Sequence, residues 1–209
     1  MNIGVLGGTF DPIHIGHLIV AEEARIRLGF QEVLFVPAGQ PWLKPDRNIT
    51  PATHRVEMVR RAIADNPQFR LCTVEVERPG PSYTVDTLIT LRKQLGNEAN
   101  FFFILGRDTL ADLPLWKEPA KLIQLCKLVV APRPGLNGVG ESGAKDLEHL
   151  ETSIPGLAGR VIELEMPIIG VSSSGIRERV ARGLSIRYLV PEGVETYITE
   201  QKIYQTSAR

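Results

Sequence analysis

The chain has 209 residues, enough for one α/β domain with a buried sheet, and its 43% hydrophobic and 23% charged residues are ordinary for a soluble globular protein. Lys+Arg and Asp+Glu balance at 24 each, so net charge gives no argument for nucleic acid or for a membrane surface as a partner. No signal peptide or membrane-length apolar run is present, and Cys72 and Cys126 fit no metal or redox spacing, which predicts a cytoplasmic protein with buried thiols.

Strands and helices are predicted to alternate along the chain. Apolar or alternating runs predict strands over 3–6, 33–36, 69–77, 101–105, 127–131 and 161–166. Helical patterns cover 14–28, 53–65, 85–95, 109–113, 119–125, 170–182 and 193–203. Thr53 is expected to cap the second helix, and Gly29 and Gly96 to end the first and third.

This order predicts a Rossmann-like, doubly wound α/β fold with a mainly parallel sheet. We expect a single domain over 1–209, whose residues 170–209 form a small helical C-terminal part, and an irregular surface segment over 136–160. Because ligands in such sheets bind at the carboxyl ends of the strands, the turns that follow the strands should gather at one edge.

The first turn of the chain has the composition of an anion site. Gly7 and Gly8 follow the first strand, and His14 and His17 stand at the start of the next helix. Glycine lets the backbone approach a phosphate closely, and the unpaired N–H groups of a helix start point at it. The two histidines could instead bind a metal or be structural, but the chain's other histidines lie in no acidic cluster that would complete a metal site.

A second helix start carries hydroxyl groups. Ser172, Ser173 and Ser174 stand there in sequence, and Arg177 follows one turn later. Hydroxyl and backbone N–H donors in this arrangement can bind an oxyanion. An ordinary serine cap followed by a surface arginine is the structural alternative.

Residues 7–17 read Gly-Gly-Thr-Phe-Asp-Pro-Ile-His-Ile-Gly-His and resemble the signature of the HxGH nucleotidyltransferase superfamily. They are most similar to the bacterial nicotinate mononucleotide adenylyltransferase family. Residues 171–177 resemble that family's ISSTxIR motif, with Val171 in place of Ile and Ser174 in place of Thr. The resemblance spans nearly the whole chain except 136–160. It implies adenylyl transfer from ATP to nicotinate mononucleotide in NAD biosynthesis, with deamido-NAD and pyrophosphate as products and with Mg²⁺ arriving on ATP.

The resemblance also implies the site residues. It assigns catalytic roles to His14, His17 and Arg177. It assigns ATP binding to Gly7, Gly8, Thr9, Phe10, His14, His17, Gly106, Asp108, Ser173, Ser174 and Arg177. It assigns mononucleotide binding to Lys44, Thr84, Trp116 and Arg133. Without the resemblance, Trp116 would be a core aromatic and Asp108 a helix cap.

One departure from the family lies in the loop after the second strand. The family often carries Pro-Pro-His-Lys there, whereas residues 41–44 read Pro-Trp-Leu-Lys. Lys44 is retained as a phosphate contact, but Leu43 replaces the histidine. The catalytic part of that loop is therefore left open.

The implied reaction needs little acid–base chemistry. Its nucleophile is a phosphate oxygen that is already ionised at neutral pH, so the protein must hold two substrates in line and stabilise charge on the transferring phosphate. Other acceptors, such as nicotinamide mononucleotide or phosphopantetheine, stay open, as does a non-catalytic nucleotide sensor. The first turn lacks G-x-G-x-x-G, which counts against a dehydrogenase, and the sequence has no G-x-x-x-x-G-K-[ST], which counts against a P-loop NTPase. The oligomeric state is open, with a homo-oligomer as one alternative.

Overall fold

The computed structural model describes residues 1–42, 48–132 and 141–205, with the side chains of the last range described from 147 onward. Within these ranges the strands are β1 (Asn2–Gly8), β2 (Glu32–Pro37), β3 (Phe69–Leu71), β4 (Asn100–Gly106), β5 (Cys126–Ala131) and β6 (Val161–Glu163). The α-helices are α1 (Ile15–Leu28), α2 (Ala52–Ala62), α3 (Val74–Glu77), α4 (Thr84–Leu95), α5 (Arg107–Ala111), α6 (Pro119–Leu125), α7 (Glu141–Ser153), α8 (Ser173–Ala181) and α9 (Glu192–Glu200). Short 3-10 turns cover Leu113–Leu115 and Ala158–Arg160.

The strands form one sheet in the order β3-β2-β1-β4-β5-β6, and every pair is parallel. This is the strand order of the doubly wound Rossmann-like fold, so the predicted fold class is confirmed. In β4, Phe102 and Ile104 join the core beneath α1 and α2, whereas Phe103 and Leu105 join the core beneath α4 and α6. Burial on both faces explains why the strands read as continuous apolar runs.

Two of the three predicted helix boundaries are confirmed. Gly29 ends α1 in the left-handed region at φ 64°, and Gly96 ends α4 at φ 82°, conformations that glycine adopts without a Cβ clash. The predicted Thr53 cap is wrong. The residue before α2 is Pro51, whose carbonyl accepts the N–H of His54 at 3.1 Å. Thr53 therefore lies inside the helix rather than at its start.

The strand predicted over 69–77 is wrong beyond its first three residues. Only Phe69–Leu71 pairs with β2, and Val74–Glu77 turns into the short helix α3. The alternation of valine and glutamate predicted a strand with its valines buried, whereas the buried residue is Glu75. Glu75 is buried and accepts the Thr87 hydroxyl at 2.6 Å, and burial raises its pKa.

The irregular segment predicted over 136–160 is wrong in its larger part, since α7 occupies Glu141–Ser153. Leu150 and Ile154 are buried against the core, and Leu147 packs beside them, a helical spacing that the polar surroundings obscured. The strand predicted over 161–166 is shorter, because only Val161–Glu163 pairs with β5.

The C-terminal part packs on the face of the sheet that carries α1 and α2. Val194 and Ile198 of α9 share a core with Met58 and Val59 of α2. The N–H of Ile15, at the start of α1, donates to Leu189 between α8 and α9 at 3.0 Å. No helix in the described part of the chain is long and apolar enough to cross a membrane.

Both cysteines are free thiols, and the prediction that they are buried holds fully for Cys126 and partly for Cys72. Burial raises the pKa of the Cys126 thiol to about 12, and it raises the pKa of Cys72 as well. A protonated, buried thiol is a poor nucleophile and a poor metal ligand. Neither residue is a candidate for the site.

Candidate active site

The carboxyl ends of the strands meet at the point where the strand order reverses. β1 pairs with β2 on one side and with β4 on the other, and these neighbours connect to helices on opposite faces. Gly8 lies beside Pro37, and Gly106 lies beside Ala131. The turns predicted to gather therefore do so, at the crevice where ligands of doubly wound sheets bind.

His14 and His17 form the start of α1. His14 is the capping residue, and its backbone N–H donates to Nδ1 of His17 at 3.2 Å. The two rings stack with centroids 3.7 Å apart. Since Nδ1 of His17 accepts a hydrogen bond, the proton of its neutral ring is assigned to Nε2. His17 can thus offer an Nε2–H donor to an oxyanion.

The glycine between the two histidines has a steric reason. A Cβ at Gly16 would lie 3.0 Å from Nδ1 and 3.1 Å from Cε1 of His14. These separations are tighter than ordinary van der Waals contact, so a side chain there would push the His14 ring out of its stack. The spacing His-x-Gly-His is therefore the one that lets both imidazoles stand at one helix start.

Phe10 serves the core more than the pocket surface. It is 2% exposed, its ring meets His17 edge-on at 5.1 Å, and its φ of 50° is uncommon for a non-glycine residue. Such backbone strain persists only where the surroundings enforce it. Phe10 supports the His17 ring from behind, and its backbone is what it can present to a ligand.

The second motif meets the first across more than 160 residues of chain. The Ser173 hydroxyl donates to the Pro12 carbonyl at 2.8 Å, and Nη1 of Arg177 donates to the Asp11 carbonyl at 2.6 Å. A guanidinium carries five N–H donors, so this bond leaves Arg177 with capacity for a ligand. The start of α8 is thereby fixed against the loop that leads to His14.

Ser172 and Ser174 complete that helix start. Ser172 caps α8, because its Oγ accepts the N–H of Gly175 at 3.2 Å, and its hydroxyl lies 3.3 Å from that of Ser174. The structural interpretation of the serine run is confirmed for Ser172, and oxyanion binding by this helix start stays a prediction. Ser172 is the cap, while Ser173 and Arg177 face the first loop.

A third helix start faces the loop after β2. Thr84 is the first residue of α4, and Ser82 just before it accepts the N–H groups of Gly39 and Gln40 at 2.9 and 3.2 Å. Nearby, the rings of Tyr83 and Trp42 lie 5.7 Å apart. This arrangement combines backbone donors at a helix start with an aromatic wall.

Trp116 follows the 3-10 turn and packs against the same core as Tyr83 at the start of α4. Its ring meets Phe103 edge-on at 5.8 Å, and its Nε1 is buried with no hydrogen-bond partner among the described residues. Phe103 in turn lies against Gly7, where an added Cβ would be 3.1 Å from the ring. The indole therefore sits in the same neighbourhood as the first turn, with one N–H to satisfy.

Gly106 ends β4 and precedes α5, and Asp108 lies in the first turn of that helix. The alternative of Asp108 as a helix cap is wrong, because the capping position belongs to Gly106. Lys44, Leu43 and Arg133 lie outside the described residues.

Arg55, which is 1% exposed, is a buried charged residue that was not predicted from the sequence. The signal was available: Arg55, Met58, Val59 and Ala62 share helical spacing, and all of them are buried. A charge on the apolar face of a helix indicates a buried polar contact. Its partners are described below.

The cytidylyltransferase-like family matches residues 5–179 of the chain. A Dehalococcoides mccartyi protein (strain CBDB1) named "Probable nicotinate-nucleotide adenylyltransferase" is 45% identical over 98% of this chain and 97% of its own length. A Thermomicrobium roseum protein of the same name is 46% identical over 98% of this chain and 92% of its own length.

Two solved structures share the fold. Both are of Plasmodium falciparum nicotinic acid mononucleotide adenylyltransferase, one complexed with APC and one with NaAD. The TM-scores are 0.75 and 0.77 at 22% and 23% identity, and each match covers 97% of this chain and 96% or 97% of the other. These two structures show the fold. The matches in sequence place the chain in the cytidylyltransferase-like family and, within it, among the nicotinate-nucleotide adenylyltransferases.

Proposed function

We propose that this chain transfers the adenylyl group of ATP to nicotinate mononucleotide, forming deamido-NAD and pyrophosphate in NAD biosynthesis. The observation that carries the proposal is the meeting of two distant helix starts, with His14 and His17 on one and Ser173 and Arg177 on the other. The relatives named for this activity and the fold neighbour complexed with NaAD support it.

The phosphates of ATP would lie between these helix starts. The nucleophile is a phosphate oxygen of the mononucleotide, which is ionised at neutral pH, so no base is required. His17 donates its Nε2–H to the α-phosphate as negative charge builds there, and His14 helps to hold the phosphates. Ser174 and Arg177 hold the departing pyrophosphate with their side chains, and Ser173, whose hydroxyl donates to Pro12, offers its backbone N–H at the helix start. The backbone of residues 7–10 and the Gly106 turn with Asp108 line the nucleotide side.

The mononucleotide would lie between the start of α4 and Trp116. Backbone N–H groups near Thr84 suit the carboxylate of the nicotinate ring, because helix starts favour anions. The unsatisfied Nε1–H of Trp116 offers a further donor, and its ring offers a stacking surface. We assign Lys44 and Arg133 to the same substrate from the family resemblance alone.

Mg²⁺ is proposed to enter with ATP. No group of three or more His, Cys, Asp or Glu residues in the described ranges could hold a metal by itself. Mg²⁺ in phosphate sites usually keeps several waters and is bound by substrate phosphates with one or two carboxylates. The proposal therefore requires no metal cage built by the protein alone. Mg²⁺ would supply charge neutralisation on the phosphates.

The division of the chain is also a proposal. Ile176 of α8 and Ile198 of α9 belong to the same core as Met58 of α2, which supports a single domain over 1–209. A cytoplasmic location and a homo-oligomeric state stay predictions.

One assay tests the activity. Purified protein is given ATP and Mg²⁺ with nicotinate mononucleotide, nicotinamide mononucleotide or phosphopantetheine in separate reactions, and pyrophosphate is measured. We expect release with nicotinate mononucleotide well above the other two. Preference for another acceptor would reassign the substrate. Nucleotide binding without release from any acceptor would favour the sensor.

Trp116→Ala is expected to raise the KM for the mononucleotide by about tenfold or more, while the KM for ATP changes little, since a stacked aromatic contributes roughly 1–3 kcal/mol. Steady-state kinetics with each substrate varied in turn would measure both constants. The control is Leu115→Ala, because the neighbouring side chain is 66% exposed. Equal changes in both KM values would show that Trp116 serves only the core.

A further inference from the structure

The Arg55 guanidinium joins two loops, the one between β1 and α1 and the one between β2 and α2, through three backbone carbonyls. Its Nε donates to the Thr50 carbonyl at 2.8 Å, Nη1 to the Thr9 carbonyl at 2.8 Å, and Nη2 to the Gly39 carbonyl at 3.4 Å. The side chain comes up from α2 and is 1% exposed. These three bonds use all three nitrogens of the planar guanidinium. A lysine has a single ammonium group and cannot reproduce this geometry.

The loops that it joins belong to opposite halves of the proposed site. Thr9 follows β1 and leads to His14. Gly39 follows β2, and its N–H donates to Ser82 beside the start of α4. The guanidinium is therefore a direct link between the ATP half and the mononucleotide half.

The carboxylate of Asp11, in the loop between β1 and α1, attracts the buried Arg55 guanidinium. Asp11 is 5% exposed, its Oδ2 accepts the Thr50 N–H at 3.3 Å, and its Oδ1 accepts the Tyr204 hydroxyl at 2.6 Å. Burial lowers the pKa of Arg55, and attraction to Asp11 opposes that shift. Burying a charged group is costly, so the role of Arg55 is better sought in geometry than in stability.

We propose that Arg55 is a positioning residue for adenylyl transfer, fixing the distance between the loop that carries the histidines and the loop that receives the mononucleotide. The proposal rests on the proposed function for its kinetic consequence. In-line attack depends on the separation of the two substrates, and a misplacement of about 1 Å can cost on the order of 10²-fold in rate. Because Arg55 is 1% exposed, it would act through the Thr9 and Gly39 backbones rather than by contact with a substrate.

The test compares Arg55→Lys with Arg60→Lys. Arg60 lies on the same helix, is 59% exposed, and pairs with Glu57. We expect Arg55→Lys to lower kcat by about 10- to 100-fold while each KM stays within about threefold. Arg60→Lys should match the wild-type protein. Tyr204→Phe removes the hydrogen bond that the tyrosine hydroxyl donates to Asp11, and it should lower kcat by a smaller factor than Arg55→Lys does. A kcat for Arg55→Lys equal to wild type per folded molecule would overturn the proposal.

A second measurement does not depend on activity. Amide hydrogen exchange in the free protein should rise at residues 9–14 and 38–42 in Arg55→Lys, including at Ala38, whose N–H donates to Gly8 at 2.9 Å. Unchanged exchange in both loops would overturn the proposal even if the protein proved to have another substrate. Absence of product from the wild-type protein, with exchange altered in the variant, would overturn the proposed function and leave the link between the loops standing.

Discussion

Replacing His17 by alanine is expected to lower kcat by about 10²–10³, the size of effect seen when one preorganised transition-state donor is removed. The His14 N–H occupies Nδ1 of His17, which leaves Nε2–H as the donor and fixes the ring before any substrate binds. A preorganised donor costs no reorganisation at the moment of transfer. The loss should therefore appear in kcat more than in the KM for ATP.

Two further variants separate the ring's two tasks. His17→Asn keeps an acceptor near the Nδ1 position and should preserve the helix start. Its kcat should nevertheless be as low as that of His17→Ala. His17→Gln places an N–H donor near the Nε2 position and should recover part of the rate. Pyrophosphate release at saturating substrates is the measurement, with the exposed His149→Ala on α7 as the control. Wild-type turnover in His17→Asn would contradict the donor role.

Gly39→Ala is expected to destabilise the protein by about 3 kcal/mol or more, at the upper end of overpacking effects. A Cβ there would lie 2.2 Å from the carbonyl oxygen of Glu75 and 3.0 Å from its carbon. Both are backbone atoms, so no rotamer change relieves the clash. Either the loop after β2 or the α3 turn must move. The loop is held by the part-buried hydrogen bond from Gly39 to Ser82, and α3 by the buried one from Thr87 to Glu75.

Thermal unfolding measures this change. For a chain of this length, 3 kcal/mol corresponds to a fall in Tm of roughly 6–12 °C. Gly159→Ala is the matched control, because a Cβ there meets nothing within 4 Å and its backbone is not in the left-handed region. A Tm for Gly39→Ala within 2 °C or so of the control would show that the two loops separate at little cost.

The fold was predictable where one physical signal dominated. The apolar run at 101–105 and the glycine stops at Gly29 and Gly96 each correspond to a single local cause, and the alternation of such elements leaves few sheet topologies. The prediction failed where a polar residue occupies a core position. Residues 74–77 were predicted as a strand with buried valines, but they form the helix α3, in which the Glu75 carboxylate is buried instead.

The site was predictable only as a set of motifs. Glycines and histidines at 7–17 and serines at 172–174 indicate anion contacts from their own chemistry, but nothing local says that Ser173 will reach Pro12. Arg55 was missed for the related reason that its partners are backbone carbonyls, which carry no residue identity. Contacts to backbone carbonyls depend on how the chain folds, so no sequence motif predicts them.

The hydrogen bonds around Asp11 have a consequence for synthesis of the protein on the ribosome. Arg177 donates to its carbonyl, and Tyr204 donates to its carboxylate, so the first loop is completed by residues synthesised more than 160 positions later. Domains generally fold as units, and residues of α8 and α9 belong to the same core as those of α1 and α2. A nascent or prematurely terminated chain would therefore lack part of this core as well as the donors to the first loop. Catalytic competence would arrive late, only after residue 204 has left the tunnel.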